Sequence, residues 1–353
     1  MLFALLAVLT ASALASPLSM ADTQLQARDT PCTGGVEGPF LETNFPDPSL
    51  TNVDGTWFSF ATWNGKDFRG AESKNFTDWK RFESGKLLAI DEATWANANR
   101  LWAPDVMRRA HDGKYVMYFT ADDKQKKGSQ CIGAAISDKI HGMYHPVNDF
   151  VQCNRSSHGV IDPAWFKDTD GRQYIVYKAE NPSGRLEIRE VAHSGKNNRS
   201  QLICIPDVQK ADKTPGPKEG VQWIGNAVYL LKPRDQGFWD GQNMEAPYIF
   251  KRNGIYFLTY STHWTNNETY DVQYATSKNV MGPYTRVKEP LISSGNKFGC
   301  ELAGPGGASF QRFGNANKLR MVFHALGPER RVQQRPFYTA TVHVNGGKLE
   351  IKP

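Results

Sequence analysis

Several features that would define other protein classes are scarce or missing in this chain. Helical periodicity is scarce throughout, which argues against a helical bundle. Beyond the first residues, no apolar run is long enough to cross a membrane. The net charge is +6, but the basic residues are scattered among acidic ones and form no dense run. We therefore expect neither a nucleic-acid partner nor a membrane partner.

The cysteines lack the spacing of a metal site. The chain contains no C-x-x-C pattern with accompanying histidine pairs, so we expect no zinc site. Five cysteines in a secreted chain imply disulfides with one residue left over: Cys32, Cys131, Cys153, Cys204 and Cys300. Cys131 and Cys153 lie near two neighbouring strand-like runs, and we predict that they are paired.

The amino terminus resembles a secretory leader, although it has no Lys or Arg before its apolar run. Residues 1–15 are apolar and end in Ala13-Leu14-Ala15, an A-x-A cleavage pattern. We expect a signal peptide over 1–15, a flexible lead-in over 16–40 and an extracellular protein. Four Asn-x-Ser/Thr sequons support secretion and predict glycosylation, at Asn75, Asn154, Asn198 and Asn267.

An internal repeat runs through the rest of the chain. Each unit has a Pro, a short strand, a turn with Gly or Asn, and a second strand rich in aromatic and β-branched residues, as in "EAPYIFKRNGIYFLTYS". The units are marked in order by Asp47, Asp105, Asp162, Glu245 and Gly304, which are separated by 58, 57, 83 and 59 residues. The pattern predicts an all-β, single-domain five-bladed β-propeller over residues 41–353.

The acidic residues at the start of these units predict a site. The first strand of each blade lines the central channel of a propeller, so Asp47, Asp105, Asp162 and Glu245 would meet at one mouth. Crowded carboxylates push at least one pKa upward and so provide a protonated acid beside an ionised base, as glycoside hydrolysis requires. Asp before Pro is also common in turns, and for Asp47 alone a structural role would be the simpler interpretation. The recurrence on several blades favours a site.

These motifs resemble a known family. The run "FPDPSL", then "LWAPDV", "IDPAWFKDTDG" and "EAPYIFKRNGIYFLTYS", is similar to glycoside hydrolase family 43, whose members are five-bladed propellers acting on arabinose- and xylose-containing plant polysaccharides. The resemblance implies that Asp47 is the general base, Glu245 the general acid, and Asp162 the carboxylate that orients the acid and keeps its pKa high. It also implies inversion, because Ile161, rather than the Arg of retaining relatives, precedes Asp162.

Further residues could contact sugar. Aromatic rings stack on sugar faces but more often pack in cores; the candidates are Trp63, Trp102, Trp165, Trp239 and Phe119, of which Trp102 and Trp165 are preferred. Arg335 matches an arginine that lies near the terminal sugar in the family, and a surface role for it is equally compatible with the sequence. Asp105 is assigned a structural or sugar-contacting role.

One family feature is missing. Many members have a His where this chain has Gly307, in "GPGGAS", and that His holds an ion or its waters. We therefore expect no required cofactor and no calcium held in that way. His324 matches another family position, and we expect it to lie in the core.

The expected function is hydrolysis of arabinan or arabinoxylan by a monomeric α-L-arabinofuranosidase or arabinanase. A β-xylosidase of the same family is an alternative, because the motifs do not separate the two pentoses. A propeller that binds plant cell-wall polysaccharide without cleaving it is a second alternative. Such a binding protein would not need all three carboxylates.

Overall fold

The computed structural model describes residues 31–41, 44–83, 85–147, 149–180, 184–192, 219–238, 240–314 and 317–353. The strands of this part form five antiparallel sheets, which are the blades of a β-propeller. The predicted fold class is therefore confirmed. Two 3-10 helices, Ile90–Glu92 and Asp235–Gly237, complete the regular structure of the described residues.

The strands follow the chain from blade to blade. Strand β1 (Val36–Phe40) comes first in sequence and joins the last blade. Blade 1 contains β2 (Ser49–Val53), β3 (Thr56–Trp63), β4 (Asp67–Ser73) and β5 (Lys80–Arg81). Blade 2 contains β6 (Ala96–Arg108), β7 (Tyr115–Asp123), β8 (Gln130–Ser137), β9 (His145–Pro146) and β10 (Gln152–Cys153). Blade 3 contains β11 (Val160–Lys167), β12 (Gln173–Ala179), β13 (Arg185–Val191) and β14 (Trp223–Leu231). Blade 4 contains β15 (Met244–Arg252), β16 (Ile255–Thr262), β17 (Asp271–Ser277) and β18 (Thr285–Arg286). Blade 5 contains β19 (Gly306–Arg312), β20 (Lys318–His324), β21 (Phe337–Asn345), β22 (Lys348–Ile351) and β1.

The hydrophobic core lies between neighbouring blades. On β12, Ile175 and Tyr177 pack in a cluster with blade 2, whereas Tyr174 and Val176 pack in a cluster with blade 4. This follows from the two-residue period of a strand, because alternate side chains point to opposite faces of a sheet. A strand buried on both faces therefore reads as a continuous apolar run.

The fifth blade is closed by the amino-terminal strand. Strand β1 pairs with β21, and Cys32 forms a disulfide with Cys300. The predicted lead-in over 16–40 is therefore wrong for its last ten residues, since residues 31–40 belong to the propeller. The physical reason is that the outer strand of blade 5 takes its pairing partner from the other end of the chain.

The predicted cysteine pair is confirmed. Cys131 and Cys153 face each other across β8 and β10 and form a disulfide. Cys204, Asn198 and the expected signal peptide lie outside the described residues. Of the other sequons, Asn75 and Asn267 are exposed and Asn154 is half-buried. In the part of the chain described, no helix has the length and apolarity needed to span a membrane.

A ring of strained residues surrounds one end of the channel. One residue of each blade, within the inner strand or just before it, has φ between +48° and +61°: Asp47, Ala103, Asp162, Ala246 and Gly307. Such values are uncommon for residues other than Gly. In blades 2 to 5 this residue lies within a register shift, and such bulges change the direction of neighbouring side chains. The ring defines which positions of the five blades are equivalent.

The ring corrects the repeat register read from the acidic residues. Asp47 and Asp162 belong to it, but Asp105 lies two residues after Ala103, and Glu245 lies one residue before Ala246. The four acidic residues are therefore not equivalent. Their different offsets place them at different depths of the channel.

Candidate active site

Asp47 lies among polar groups from three other segments. Its Oδ2 accepts a hydrogen bond of 2.9 Å from Thr62 Oγ1, and its Oδ1 lies 3.3 Å from Nη1 of Arg335. Its backbone N–H donates to Nδ1 of His324. The side chain keeps 21% exposure, so a water molecule can reach the carboxylate. This environment suits a group that accepts a proton from water.

Two hydrogen bonds fix the position of Asp162. Its N–H donates to Thr120 Oγ1 at 3.1 Å, and its Oδ2 accepts a hydrogen bond of 3.0 Å from the N–H of Ala246. Burial and the negative charge of Glu245 raise the pKa of Asp162 to about 8. At neutral pH Asp162 therefore keeps its proton.

Glu245 receives two donors. Its Oε2 lies 3.1 Å from Nζ of Lys178, and its Oε1 accepts a hydrogen bond of 2.9 Å from the Tyr270 hydroxyl. The carboxyl side chain keeps 13% exposure. Two donors of different kinds fix both oxygens, so the carboxyl group has one orientation at the channel mouth.

The contacts of the three carboxylates form a connected network. Asp162 binds the backbone of the residue that follows Glu245, and Tyr270, which donates to Glu245, stacks on His324, whose ring accepts the N–H of Asp47. The predicted set is thus brought together at one end of the channel. The residues Lys178, Tyr270 and Thr62 were not predicted. Thr62 and Tyr270 contact a carboxylate of their own blade and Lys178 one of the next blade, and no local motif marks which side chains point towards these carboxylates.

Asp105 lies two residues further along its inner strand than Ala103. It is 7% exposed, lines the same axial cavity as Asp47 and Asp162, and accepts a hydrogen bond of 2.7 Å from the backbone N–H of Trp165. Burial raises the pKa of Asp105 to about 7. Asp105 therefore lies in the wall of the channel, which favours the structural half of its predicted role.

The tryptophans separate into two groups. Trp63 and Trp102 are half-buried and lie beside the ring of positive-φ residues. The guanidinium group of Arg69 lies 4.4 Å from the indole centroid of Trp63, and that of Arg100 lies 5.8 Å from the indole centroid of Trp102. Trp165 instead packs in the core between blades 2 and 3 and donates its Nε1–H to Gln173. Strand alternation directs its ring towards the space between the blades, and a sugar contact by Trp165 stays a prediction. Trp63 and Trp102 stay predictions.

Three further candidates remain: one is a core residue, one lies outside the described residues, and one lies within the site. Phe119 is fully buried in blade 2 and is a core residue. Trp239 lies outside the described residues. Arg335 has 11% side-chain exposure, and besides Asp47 it contacts the Thr265 hydroxyl at 2.9 Å. Arg335 thus lies within the site, where its guanidinium group is available to a substrate hydroxyl.

His324 is buried as expected, but it also contacts the base. Its ring is fully buried, and burial followed by the charge of Arg335 lowers its pKa well below the ordinary value. The neutral ring accepts the Asp47 N–H through Nδ1, while Nε2 lies 3.4 Å from the Thr265 hydroxyl. Both ring nitrogens therefore have partners in the protein.

The residues near Gly307 do not fit a calcium site of the kind that the resemblance implies. Gly307 has no ligand atom, and a Cβ at this position would lie 2.7 Å from Cε1 of His324. The one cluster of metal-ligand types found in the described residues is Asp123, Cys131 and Cys153, in which both sulfurs belong to a disulfide. Because the donors do not converge, we derive no catalytic step through an ion.

The fold and the three carboxylates together define a glycoside hydrolase. The model of the family "Glycosyl hydrolases family 43" matches residues 36–345, so the chain belongs to that family. This confirms the resemblance seen in the motifs.

Curated relatives carry related names. A "Xylosidase/arabinosidase" of Bacteroides ovatus is 28% identical, and the match covers 63% of this chain and 66% of the relative. "Xylosidase/arabinosidase 43A" of Humicola insolens is 30% identical over 60% of this chain and 64% of the relative. An "Extracellular endo-alpha-(1->5)-L-arabinanase 2" of Bacillus subtilis is 26% identical over 69% and 50%. The chain thus spans about half to two thirds of the length of these relatives.

Solved structures confirm the architecture. A thermostable family-43 glycoside hydrolase superposes with a TM-score of 0.71 and 21% identity over 92% of this chain and 96% of the other. An endo-1,4-beta-xylanase from Bacteroides thetaiotaomicron gives a TM-score of 0.69 with 20% identity over 88% and 95%. At these identities the likeness concerns the fold.

Proposed function

We propose that the protein is an inverting arabinofuranosidase or arabinanase that cleaves arabinan or arabinoxylan. The observation that carries the proposal is the set of three carboxylates in three environments at one channel mouth. Asp47 accepts hydrogen bonds from Arg335 and Thr62. Glu245 accepts them from Lys178 and Tyr270. Asp162 is buried beside the acid. Environments that differ in this way separate a base from an acid.

The roles follow from these contacts. Asp47 removes a proton from the attacking water, while Glu245 donates a proton to the oxygen of the leaving group. Asp162 orients the acid, because it accepts the N–H of Ala246, the residue that follows Glu245. In a single displacement the water attacks from the face opposite the leaving group, so the anomeric centre inverts.

The anomer of the first product tests the mechanism. Proton NMR of the sugar released at early time should show the configuration opposite to that of the substrate, before mutarotation mixes the anomers. A retained anomer at early time would refute the single displacement. No turnover of any pentoside would instead support the binding propeller.

A substrate panel tests the sugar. We expect aryl α-L-arabinofuranoside, arabinan and arabinoxylan to be cleaved faster than aryl β-D-xyloside. β-Xylosidase activity is a second candidate, because two of the relatives are named xylosidase/arabinosidase. Faster cleavage of the xyloside would select that candidate, and product chromatography would separate endo from exo action.

Secretion as a monomer is part of the proposal. The two disulfides support an oxidising compartment, and one relative is named extracellular. Expression of the natural gene should place the mature chain in the medium, with a mass above that of the polypeptide where the exposed sequons carry glycans. Cell-retained, unglycosylated protein would contradict this part.

A further inference from the structure

Five equivalent positions on the second strands of the blades show a pattern with one exception. They lie opposite the start of each inner strand and are occupied by Thr62, Thr120, Lys178, Ser261 and His324. Four of these side chains accept the N–H of the ring residue in the next blade. Lys178 is the exception, because an ammonium group has no acceptor.

The exception is compensated by a catalytic candidate. The N–H of Ala246, which would be bonded to a residue at position 178, donates instead to Oδ2 of Asp162 at 3.0 Å. The ammonium group of Lys178 lies 3.1 Å from Glu245 Oε2 and 3.1 Å from Glu180 Oε1. The presence of a lysine at this one position of the pattern therefore determines the partners of both Asp162 and Glu245.

Lys178 is closely confined. Its side chain is 3% exposed, and a Cβ added at Gly184 would lie 3.0 Å from its Cε. Gly184 has φ of +67°, so the chain there favours glycine and leaves room for the lysine stem. Burying a lysine is costly unless it is paired, and here two carboxylates pair with it. The lysine is thus built into the site rather than placed on the surface by chance.

We propose that Lys178 and Glu180 are a positioning pair behind the general acid. Lys178 holds the carboxyl group of Glu245 in its orientation. Because Lys178 offers no acceptor, the N–H of Ala246 binds Asp162 instead. Glu180 partly neutralises the charge of Lys178 and so weakens its effect on the acid. The proposal rests on the roles assigned above to Glu245 and Asp162.

Electrostatics give the pair a measurable effect. Burial alone would lower the pKa of Lys178, but Glu245, Glu180 and Asp162 raise it above the ordinary value, so the lysine stays charged. A cation beside a carboxyl group lowers its proton affinity. Lys178 of blade 3 and Tyr270 of blade 4 contact the acid, and Asp162 of blade 3 and His324 of blade 5 lie close enough to interact with its charge. Of the other charged groups of the site, Glu180 contacts Lys178, and Asp47 of blade 1 contacts Arg335 of blade 5.

The two members of the pair should have opposite effects on the pH profile. Removing the cation raises the proton affinity of the acid, so the basic limb of kcat/KM should move to higher pH in Lys178→Met. Removing Glu180 leaves the full lysine charge on the acid, so the limb should move to lower pH in Glu180→Gln. A close opposite charge shifts a carboxyl pKa by about 1–3 units, and we expect the shift in Lys178→Met to be at least about 1 unit.

Two more variants separate folding from charge. Lys178→Thr supplies the acceptor that Thr62 and Thr120 supply in blades 1 and 2, so it should fold while still moving the limb upward. Lys178→Arg keeps the charge and should keep the limb near its wild-type position. Lys251→Met is the matched control, because Lys251 of blade 4 forms an ion pair with Asp168 of blade 3 outside the site. Thermal unfolding should be measured for each variant.

The outcomes distinguish this proposal from the proposed function. A limb that stays in place in both Lys178→Met and Lys178→Thr, or moves the same way in Lys178→Met and Glu180→Gln, would overturn the positioning pair while hydrolysis by wild type stands. A rise in KM alone would show that Lys178 binds sugar and would also overturn it. Turnover by wild type is the separate test of the hydrolase: no cleavage of any pentoside would refute the proposed function, whereas retained activity in Asp47→Asn would remove only the base role from Asp47.

Discussion

Replacing Asp105 with Asn should stabilise the protein at neutral and alkaline pH. The carboxyl group is 7% exposed in the channel wall, and burial outweighs the hydrogen bond from Trp165 to raise its pKa from 3.8 to about 7. Between these values the unfolded chain has released the proton and the folded protein keeps it. The unfolded state then binds fewer protons, so the free energy of unfolding falls as pH rises.

The magnitude follows from the pKa difference. One unit corresponds to about 1.4 kcal/mol, so a rise from 3.8 to about 7 costs the wild type at most about 4 kcal/mol above pH 7. Asn keeps an oxygen acceptor for the Trp165 N–H and has no charge to bury. The stability gap between variant and wild type should therefore open from about pH 4 and level off above about pH 7.

Urea unfolding followed by fluorescence at a series of pH values measures this gap. The midpoint and slope at each pH give the free energy of unfolding for both proteins. A gap that does not change with pH would refute the reasoning, because it would mean that Asp105 is ionised in the folded protein. A gap that closes as pH rises would mean that the pKa of Asp105 is lower in the folded protein than in the unfolded chain, which is the opposite of the predicted shift.

The other predictions concern the chemistry. Glu245→Gln should lower kcat on natural linkages by roughly 10²–10⁴ and should affect an aryl glycoside with a good leaving group less; equal losses would count against the acid role. Asp47→Asn should abolish cleavage of both substrate types, with azide restoring part of it, and near-normal rates would remove Asp47 from the site. Treatment with a chelator followed by dialysis should leave kcat within about twofold, since Gly307 carries no ligand atom; recovery only on adding calcium would show that other groups hold an ion.

Much of the fold is local information in the sequence. The Asn253-Gly254 turn joins β15 and β16 in the hairpin that the dipeptide predicts, with both residues at positive φ. The repeat spacing indicates the number of blades because each blade is formed from consecutive strands. The repeat could not reveal β1, since that strand pairs with a segment about 300 residues away.

The site was partly readable for the same reason. Asp47 and Asp162 stand directly before Pro at the start of inner strands, and Glu245 stands one residue earlier, so local motifs identify all three. Their offsets were not readable. In blades 2 to 5 the register shift within the inner strand decides whether a side chain reaches the mouth or, like Asp105, the channel wall.

By itself, then, the sequence determined the strands, the blade number and the three carboxylates, because hydrophobic period, turn residues and motif order are properties of neighbouring residues. Only the tertiary structure decided the partners of those carboxylates. Tyr270 reaches Glu245 within blade 4, Lys178 reaches it from the neighbouring blade 3, and His324 of blade 5 meets Asp47 of blade 1 only when the propeller closes. Proton affinities depend on burial and on charges within a few ångströms, and those distances are set by the closed ring of blades rather than by any one strand.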